Sequence, residues 1–241
     1  MLDCDGTLAP FARHYLHAVF PKKTRKVLEG IKRLKNIKIA IISGRSLSSV
    51  QRFVGVRGLI YAGNHGLEIS TGAERRSHPK AEKYLKVISE LKGILKALLE
   101  YFPDACLEDK HFGLSLHYRM LAPAAEKKLF FAFKSAVRPF VKGRKIKLLR
   151  GSKVLEIRPF VHWNKGHAVR WLLRNDSREP ILPVFIGDDI TDEDAFKALR
   201  HGITICVGRS KNTHARFYLK SHLEVYRLLE AFYRARRQSI G

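Results

Sequence analysis

Met1-Leu2-Asp3-Cys4-Asp5-Gly6-Thr7-Leu8 decides how the rest of this 241-residue chain is read. The stretch reads as the end of a strand. In an extended segment, residues two apart project to the same side at a spacing of roughly 6–7 Å. Asp3 and Asp5 therefore present two carboxylates together. One can attack a bound group while the other protonates its leaving oxygen. The strand breaks at Gly6, which suits a site at the carboxyl edge of a parallel sheet. Taken alone, two acids also fit a solvated turn.

The flanking sequence has the rhythm of such a sheet. Segment 24–35 carries Val27, Leu28, Ile31 and Leu34 at helical spacing, and 37–42 is a short apolar strand. Ser46 is placed to cap a helix over 46–54, and 59–62 and 67–69 are further strands. The middle of the chain changes character. Tyr84, Ile88, Leu91, Leu95, Leu98 and Phe102 mark one face of a long amphipathic helix. A hairpin over 106–110 and 113–119 follows, then a helix from Pro123 to about 141, then strands over 145–149 and 154–158. Helix-strand-strand occurs twice, as a loose internal repeat. Strand and helix alternate again over 165–174, 182–186, 192–199, 203–207 and 223–236. The sequence predicts an α/β core over 1–74 and 160–241, interrupted by an α+β insert over 75–159.

Three more segments carry chemistry. Gly187-Asp188-Asp189-Ile190-Thr191-Asp192-Glu193-Asp194 follows a buried strand and offers hard oxygen ligands of the kind that suit Mg²⁺. Helix N-capping also explains Asp192 to Asp194. Ser43-Gly44-Arg45 closes another strand, where a hydroxyl and N–H groups can hold a phosphate oxygen, although alone it reads as a capped turn. Asn164-Lys165-Gly166 opens a helix, where a lysine can neutralise a phosphate and an attacking carboxylate together.

In order and context the four segments resemble the four motifs of the haloacid dehalogenase superfamily, whose Rossmann-like core carries an inserted cap. The resemblance implies that Asp3 is the nucleophile forming an aspartyl-phosphate and that Asp5 is general acid, then general base. It implies that Ser43, with Thr7, Gly44 and Arg45, binds phosphate, and that Lys165 holds Asp3 and phosphate together. Mg²⁺ would sit on Asp3, the Asp5 carbonyl and Asp188, with Asp192 ordering its water shell or Lys165. Asp3 to Leu8, Gly63-Asn64-His65-Gly66, His117-Tyr118-Arg119, Glu156-Ile157-Arg158-Pro159 and Gly187 to Asp194 are similar to the trehalose-6-phosphate phosphatase family. That likeness implies sugar contacts by Glu108, Lys110 and Glu156, with Arg119 and Asn64. Members of that family have a full apolar strand before the first Asp, whereas Met1 and Leu2 alone precede Asp3 here. A central strand that short is expected to lose ladder hydrogen bonds and buried side chains.

The chain carries 46 Lys and Arg against 22 Asp and Glu, a net charge of +24. Such a field favours anionic partners, among them a phosphorylated small molecule, nucleic acid or an acidic membrane. Arg227, Arg234, Arg236 and Arg237 make the terminal helix the candidate for a polyanion. Yet no basic run is interleaved with stacking aromatics, and Tyr226 and Phe232 are expected to pack that helix on the core. Neither nucleic acid nor membrane is therefore expected as a partner. No apolar run nears the ~20 residues of a membrane helix. Cys4, Cys106 and Cys206 are too scattered for a disulfide framework, and the opening residues lack a signal-peptide pattern, so a cytoplasmic setting is expected. Hydrolysis of trehalose 6-phosphate is the leading expectation. Sucrose phosphate, a mannosyl phosphate ester and a hexose phosphate are alternative substrates.

Overall fold

The computed structural model describes residues 1–11, 18–72, 74–151, 153–176, 180–208 and 212–238. In chain order, the first part of the core holds α1 (Lys22–Lys32), β1 (Ala40–Ile42), α2 (Leu47–Val54), β2 (Ile60–Gly63), β3 (Glu68–Ser70) and β4 (Arg75–Ser77). Next come α3 (Pro79–Glu82), α4 (Leu85–Leu99), β5 (Cys106–Asp109), β6 (Leu114–His117), α5 (Pro123–Lys142), β7 (Ile146–Gly151) and β8 (Val154–Pro159). The core resumes with α6 (Lys165–Arg174), β9 (Val184–Gly187), α7 (Glu193–Ala198), β10 (Ile203–Val207), β11 (Phe217–Leu219) and α8 (His222–Gln238). The chain divides into one unit of Met1–Arg76 with Trp163–Gly241 and a second of Ser77–His162. Among the described residues, no helix is long and apolar enough to cross a membrane.

In the first unit, the opening residues join two half-sheets. Leu2 bridges Ile41 on one side and Ile186 on the other, both in parallel. Its N–H donates to the Ala40 carbonyl at 2.8 Å, and the Asp3 N–H donates to the Ile186 carbonyl at 2.9 Å. β1 continues into parallel β2 and then antiparallel β3, while β9 continues into parallel β10 and β11. The central segment joins them through isolated bridges. β1 is buried on both faces, the condition of a strand covered by helices on each side. Leu28 and Ile31 of α1 pack with Ile41, Val50 and Val225 in one apolar cluster, and Ile42, Ala62, Val169, Phe185 and Phe196 form another.

Local chemistry sets the ends of these elements. The Ser46 hydroxyl accepts the Ser49 N–H at the start of α2, and Gly55 ends that helix in the left-handed region. The strand expected over 182–186 begins only at Val184, because Pro183 has no N–H to donate. Helix 192–199 opens as a 3₁₀ turn over Ile190–Asp192 before α7. On α8 the buried stripe runs through Val225, Tyr226, Leu229 and Tyr233. Phe232 falls on its flank and is 41% exposed, so Tyr233 takes the packing role expected of Phe232.

The second unit is an antiparallel sheet in the order β5-β6-β8-β7 with α4 and α5 on one face. Leu91 and Leu95 of α4 and Leu129, Phe133 and Val137 of α5 pack with Leu114, Leu116, Leu155 and Ile157. The two helix-strand-strand passages thus pair through β6 and β8. β6 ends at His117, so Arg119 lies in the following turn and not in the expected strand.

Leu28 is fully buried in the cluster beneath the central segment. Leu28→Ala is expected to cost about 2–5 kcal/mol, read as a lowered denaturant midpoint at unchanged slope.

Candidate active site

The site grows from the sheet's central segment. Asp3 leaves the sheet between the ends of β1 and β9, so Ser43 and Asp188 follow the two flanking strands. This is a reversal point in strand order, where crevices open at the carboxyl ends of parallel strands. Gly6 has φ +91, and a Cβ there would overlap the Asp188 carboxylate. A Cβ on Gly187 would overlap the Asp192 carboxyl. Both glycines let acidic side chains lie against main chain.

Asp3 is 5% exposed and Lys165 is 2% exposed. The Lys165 ammonium donates to Asp3 Oδ1 at 2.5 Å and to Asp192 Oδ1 at 2.7 Å. Lys165 is held there as the first residue of α6, whose N-cap Asn164 accepts the His167 N–H. The other oxygen of Asp192 accepts the N–H groups of Asp188 and Asp189 at 3.1 and 3.0 Å. Asp192 therefore makes the lysine contact weighed for it and closes a capping box with Asp189 at the 3₁₀ turn, but its side chain does not cap α7. Asp189 caps the turn instead, accepting the Ile190 N–H at 2.7 Å. Thr7 is fully buried, and its hydroxyl donates to Asp188 Oδ1 at 2.7 Å. Oxygens of Asp3, Asp188 and Asp192 lie within 4.8 Å of one another, a hard-donor cluster of the sort that holds a divalent cation.

The remaining core candidates follow β1 and β2. Ser43 is buried, and its hydroxyl accepts the Arg45 N–H at 3.2 Å. Gly44 lies so close to the His65 ring that a Cβ would approach it to 2.8 Å. Arg45 reaches Asp5, with Nε on Oδ2 and Nη2 on Oδ1, each at 2.7 Å. Asn64 is buried, and its amide donates to Glu68 Oε2 at 2.8 Å. Glu68, absent from the candidates above, also pairs with Arg75 at 2.6 Å. Its signal was legible: a charged residue between Leu67 and Ile69 of a buried strand requires polar partners.

In the second unit, Glu108, Ser115, Glu156 and Leu149 lie in cross-strand register on the sheet face opposite α4 and α5. Lys110 lies 3.2 Å from Glu156 and 4.0 Å from Glu108, joining both carboxylates. His117 contacts Glu108 at 3.0 Å, and Arg158 pairs with Glu156. Glu108, Lys110 and Glu156 are thus brought together, and His117 and Arg158 join them. Alternation along a strand could have found Arg158, two residues from Glu156 on the same face. Arg119 is exposed in the turn beyond β6.

Burial of so many charges shifts their proton equilibria. Burial works against the Lys165 ammonium, but the Asp192 and Asp3 carboxylates outweigh it and hold Lys165 protonated, above the ordinary lysine value. Burial pushes Asp3 well above the ordinary aspartate range; Lys165 opposes this, and Asp192 and Asp188 add to it. Burial likewise raises Asp188 from 3.8 to about 6, against the Thr7 hydrogen bond and with the Asp192 charge adding. The stability Asp188 contributes is therefore fully present below about 4 and lost as pH rises through about 6. In metal-free protein, Asp188→Asn is expected to gain stability relative to wild type between pH 4 and 7. Urea denaturation at both pH values measures it, and a constant difference would refute the assignment.

Residues 1–222 match the trehalose-phosphatase family model. The chain is 34% identical to trehalose-phosphate phosphatase B of Arabidopsis thaliana, covering all of this chain and 67% of that one. A solved trehalose-6-phosphate phosphatase related protein superposes with a TM-score of 0.86 at 23% identity, over 99% of this chain and 98% of the other. A haloacid dehalogenase-like hydrolase from Bacteroides thetaiotaomicron superposes at 0.65 and 17% identity, over 96% and 97%. The fold is that of the haloacid dehalogenase-like hydrolases, and by sequence across nearly its whole length the chain belongs to the trehalose-phosphatase family.

Proposed function

We propose that this chain hydrolyses trehalose 6-phosphate to trehalose and inorganic phosphate, with Asp3 as the nucleophile. The buried contact of Lys165 with Asp3 carries the reading. A carboxylate 5% exposed beside an ammonium is aimed and kept from water, as an attacking group must be. An Asp3 oxygen attacks phosphorus as the bond to the sugar oxygen breaks, and the Asp5 carboxyl gives that oxygen its proton. Asp5 then takes a proton from the water that attacks the aspartyl-phosphate, which frees phosphate and Asp3. Ser43 and the N–H groups after β1 receive phosphate oxygens, while Thr7 acts through Asp188, whose carboxylate it orients.

The donor set fits Mg²⁺: oxygens only, buried together, where desolvation raises Asp3 and Asp188 and the neighbouring carboxylates add to it. Asp3, Asp188 and the Asp5 main-chain carbonyl would hold it, and Asp192 would act through Lys165. A bound divalent cation supplies positive charge that draws phosphoryl oxygens and offsets the carboxylates. We assign sugar recognition to Glu108, Lys110 and Glu156, since carboxylates accept from sugar hydroxyls and an ammonium donates to them.

Three measurements test this. Asp3→Asn is expected to fold and to lose several orders of magnitude in release of phosphate from trehalose 6-phosphate; substantial turnover would overturn the nucleophile. Wild-type turnover should also vanish in excess chelator and return with Mg²⁺. Glu108→Ala and Glu156→Ala are each expected to cost at least ~1–3 kcal/mol on trehalose 6-phosphate and little on p-nitrophenyl phosphate. Equal losses on both esters would make them structural.

A further inference from the structure

Arg45 follows Ser43 and Gly44, a setting that assigns it to phosphate, yet its guanidinium is committed elsewhere. Nε and Nη2 form a fork on the two oxygens of Asp5, each bond 2.7 Å. The flat face of the guanidinium lies on the Phe53 ring, with Cζ 3.9 Å from its centroid. Phe53 is itself set edge-on against Phe20, the centroids 5.5 Å apart at 83°. Two main-chain bonds fix the origin of the side chain. The Arg45 N–H donates to Ser43 Oγ at 3.2 Å, and its carbonyl accepts the Asn64 N–H at 2.7 Å. The Arg45 side chain is 13% exposed, against 29% for Asp5. The cation is therefore the fixed partner and the acid the group it orients. The edge that grips Asp5 cannot offer the same two N–H groups to a phosphate.

We propose that Arg45 is the positioning residue of Asp5 and serves proton transfer, not phosphate binding. This rests on the phosphatase reading above. The two carboxylates of Asp3-Cys4-Asp5 then have separate cations, Lys165 for the nucleophile and Arg45 for the proton-transfer group. When Asp5 carries its proton, one bond of the fork opens and the other remains as a tether. The proton passes to the sugar oxygen as its bond to phosphorus breaks and the Asp3–phosphorus bond forms. Asp5, again a carboxylate, recloses on Arg45. It next receives a proton from the attacking water as the Asp3–phosphorus bond breaks and inorganic phosphate leaves. Without the fork the Asp5 carboxyl rotates freely, and the proton is delivered from fewer productive orientations.

The test compares kcat/KM on trehalose 6-phosphate, whose leaving alkoxide must be protonated, with p-nitrophenyl phosphate, whose phenolate needs no proton. Arg45→Met is expected to lose on the order of 10²-fold on the sugar phosphate and less than about tenfold on the aryl ester. In an Asp5→Asn background the same substitution is expected to add less than about threefold, because the two residues act as one unit. Inhibition by inorganic phosphate should be unchanged within about threefold. Equal losses on both esters with weaker phosphate inhibition would overturn the proposal, as would full additivity with Asp5→Asn. Phe53→Leu removes the stacking ring and keeps both charges, so it covers the case in which Arg45→Met does not fold. It must show the same ester-selective loss at reduced size, and no selectivity would count against Arg45. Wild-type turnover of both esters tests the parent reading on its own, whereas the ratio of losses tests Arg45.

Discussion

The first unit is organised around one ammonium sealed among carboxylates. Lys165 is 2% exposed and touches Asp3 and Asp192, which are themselves almost without water. Taking such ions out of water costs several kcal/mol each, and their mutual attraction offsets this only in good geometry with the remaining oxygens hydrogen-bonded. Here those conditions are met by the backbone. Asp192 spends its second oxygen on two N–H groups, and Lys165 is fixed at a capped helix start. Two elements far apart in sequence, the segment around Asp3 and the turn after β9, are thereby locked to α6 by charge as well as by packing.

Steric room is the companion constraint. Three acidic side chains can crowd one sheet edge only where neighbouring residues give up volume, and Gly6 and Gly187 do so against Asp188 and Asp192. Burial raises Asp3 and Asp188 and the neighbouring carboxylates add to it, so the metal-free site holds its acids at a cost that a cation would relieve. Affinity for a divalent ion and cost to the metal-free fold are thus two expressions of one arrangement.

The alternation of core elements was legible because it rests on local periodicity. Helical spacing in Val27, Leu28 and Ile31 and the apolar run into Ile42 need no tertiary information. The candidate site residues Asp3, Lys165, Asp188 and Asp192 were legible as motifs at strand and helix ends, and the fold brings them together. What eluded the sequence depends on contacts across the chain. Nothing local says that Arg45 would lie on Phe53 and turn to Asp5, or that Tyr233 and not Phe232 would face the core. The short strands β4 and β11 carry little periodic signal in three residues each. Glu68, by contrast, was legible as a charge flanked by Leu67 and Ile69.

The bridge made by Leu2 bears on how the molecule is assembled. Its two neighbours, Ile41 and Ile186, are separated by the whole of the second unit. During synthesis the first half-sheet can pair at once, but its other side waits until residue 186 has left the ribosome. Residues 77–162, closed upon themselves, emerge complete before that moment. Contacts so distant in sequence form slowly, and an exposed strand edge is a hazard while it waits. The inserted unit therefore lengthens the interval in which the nascent core is open to wrong pairing. Charge repulsion in a chain of +24 counters association during that interval.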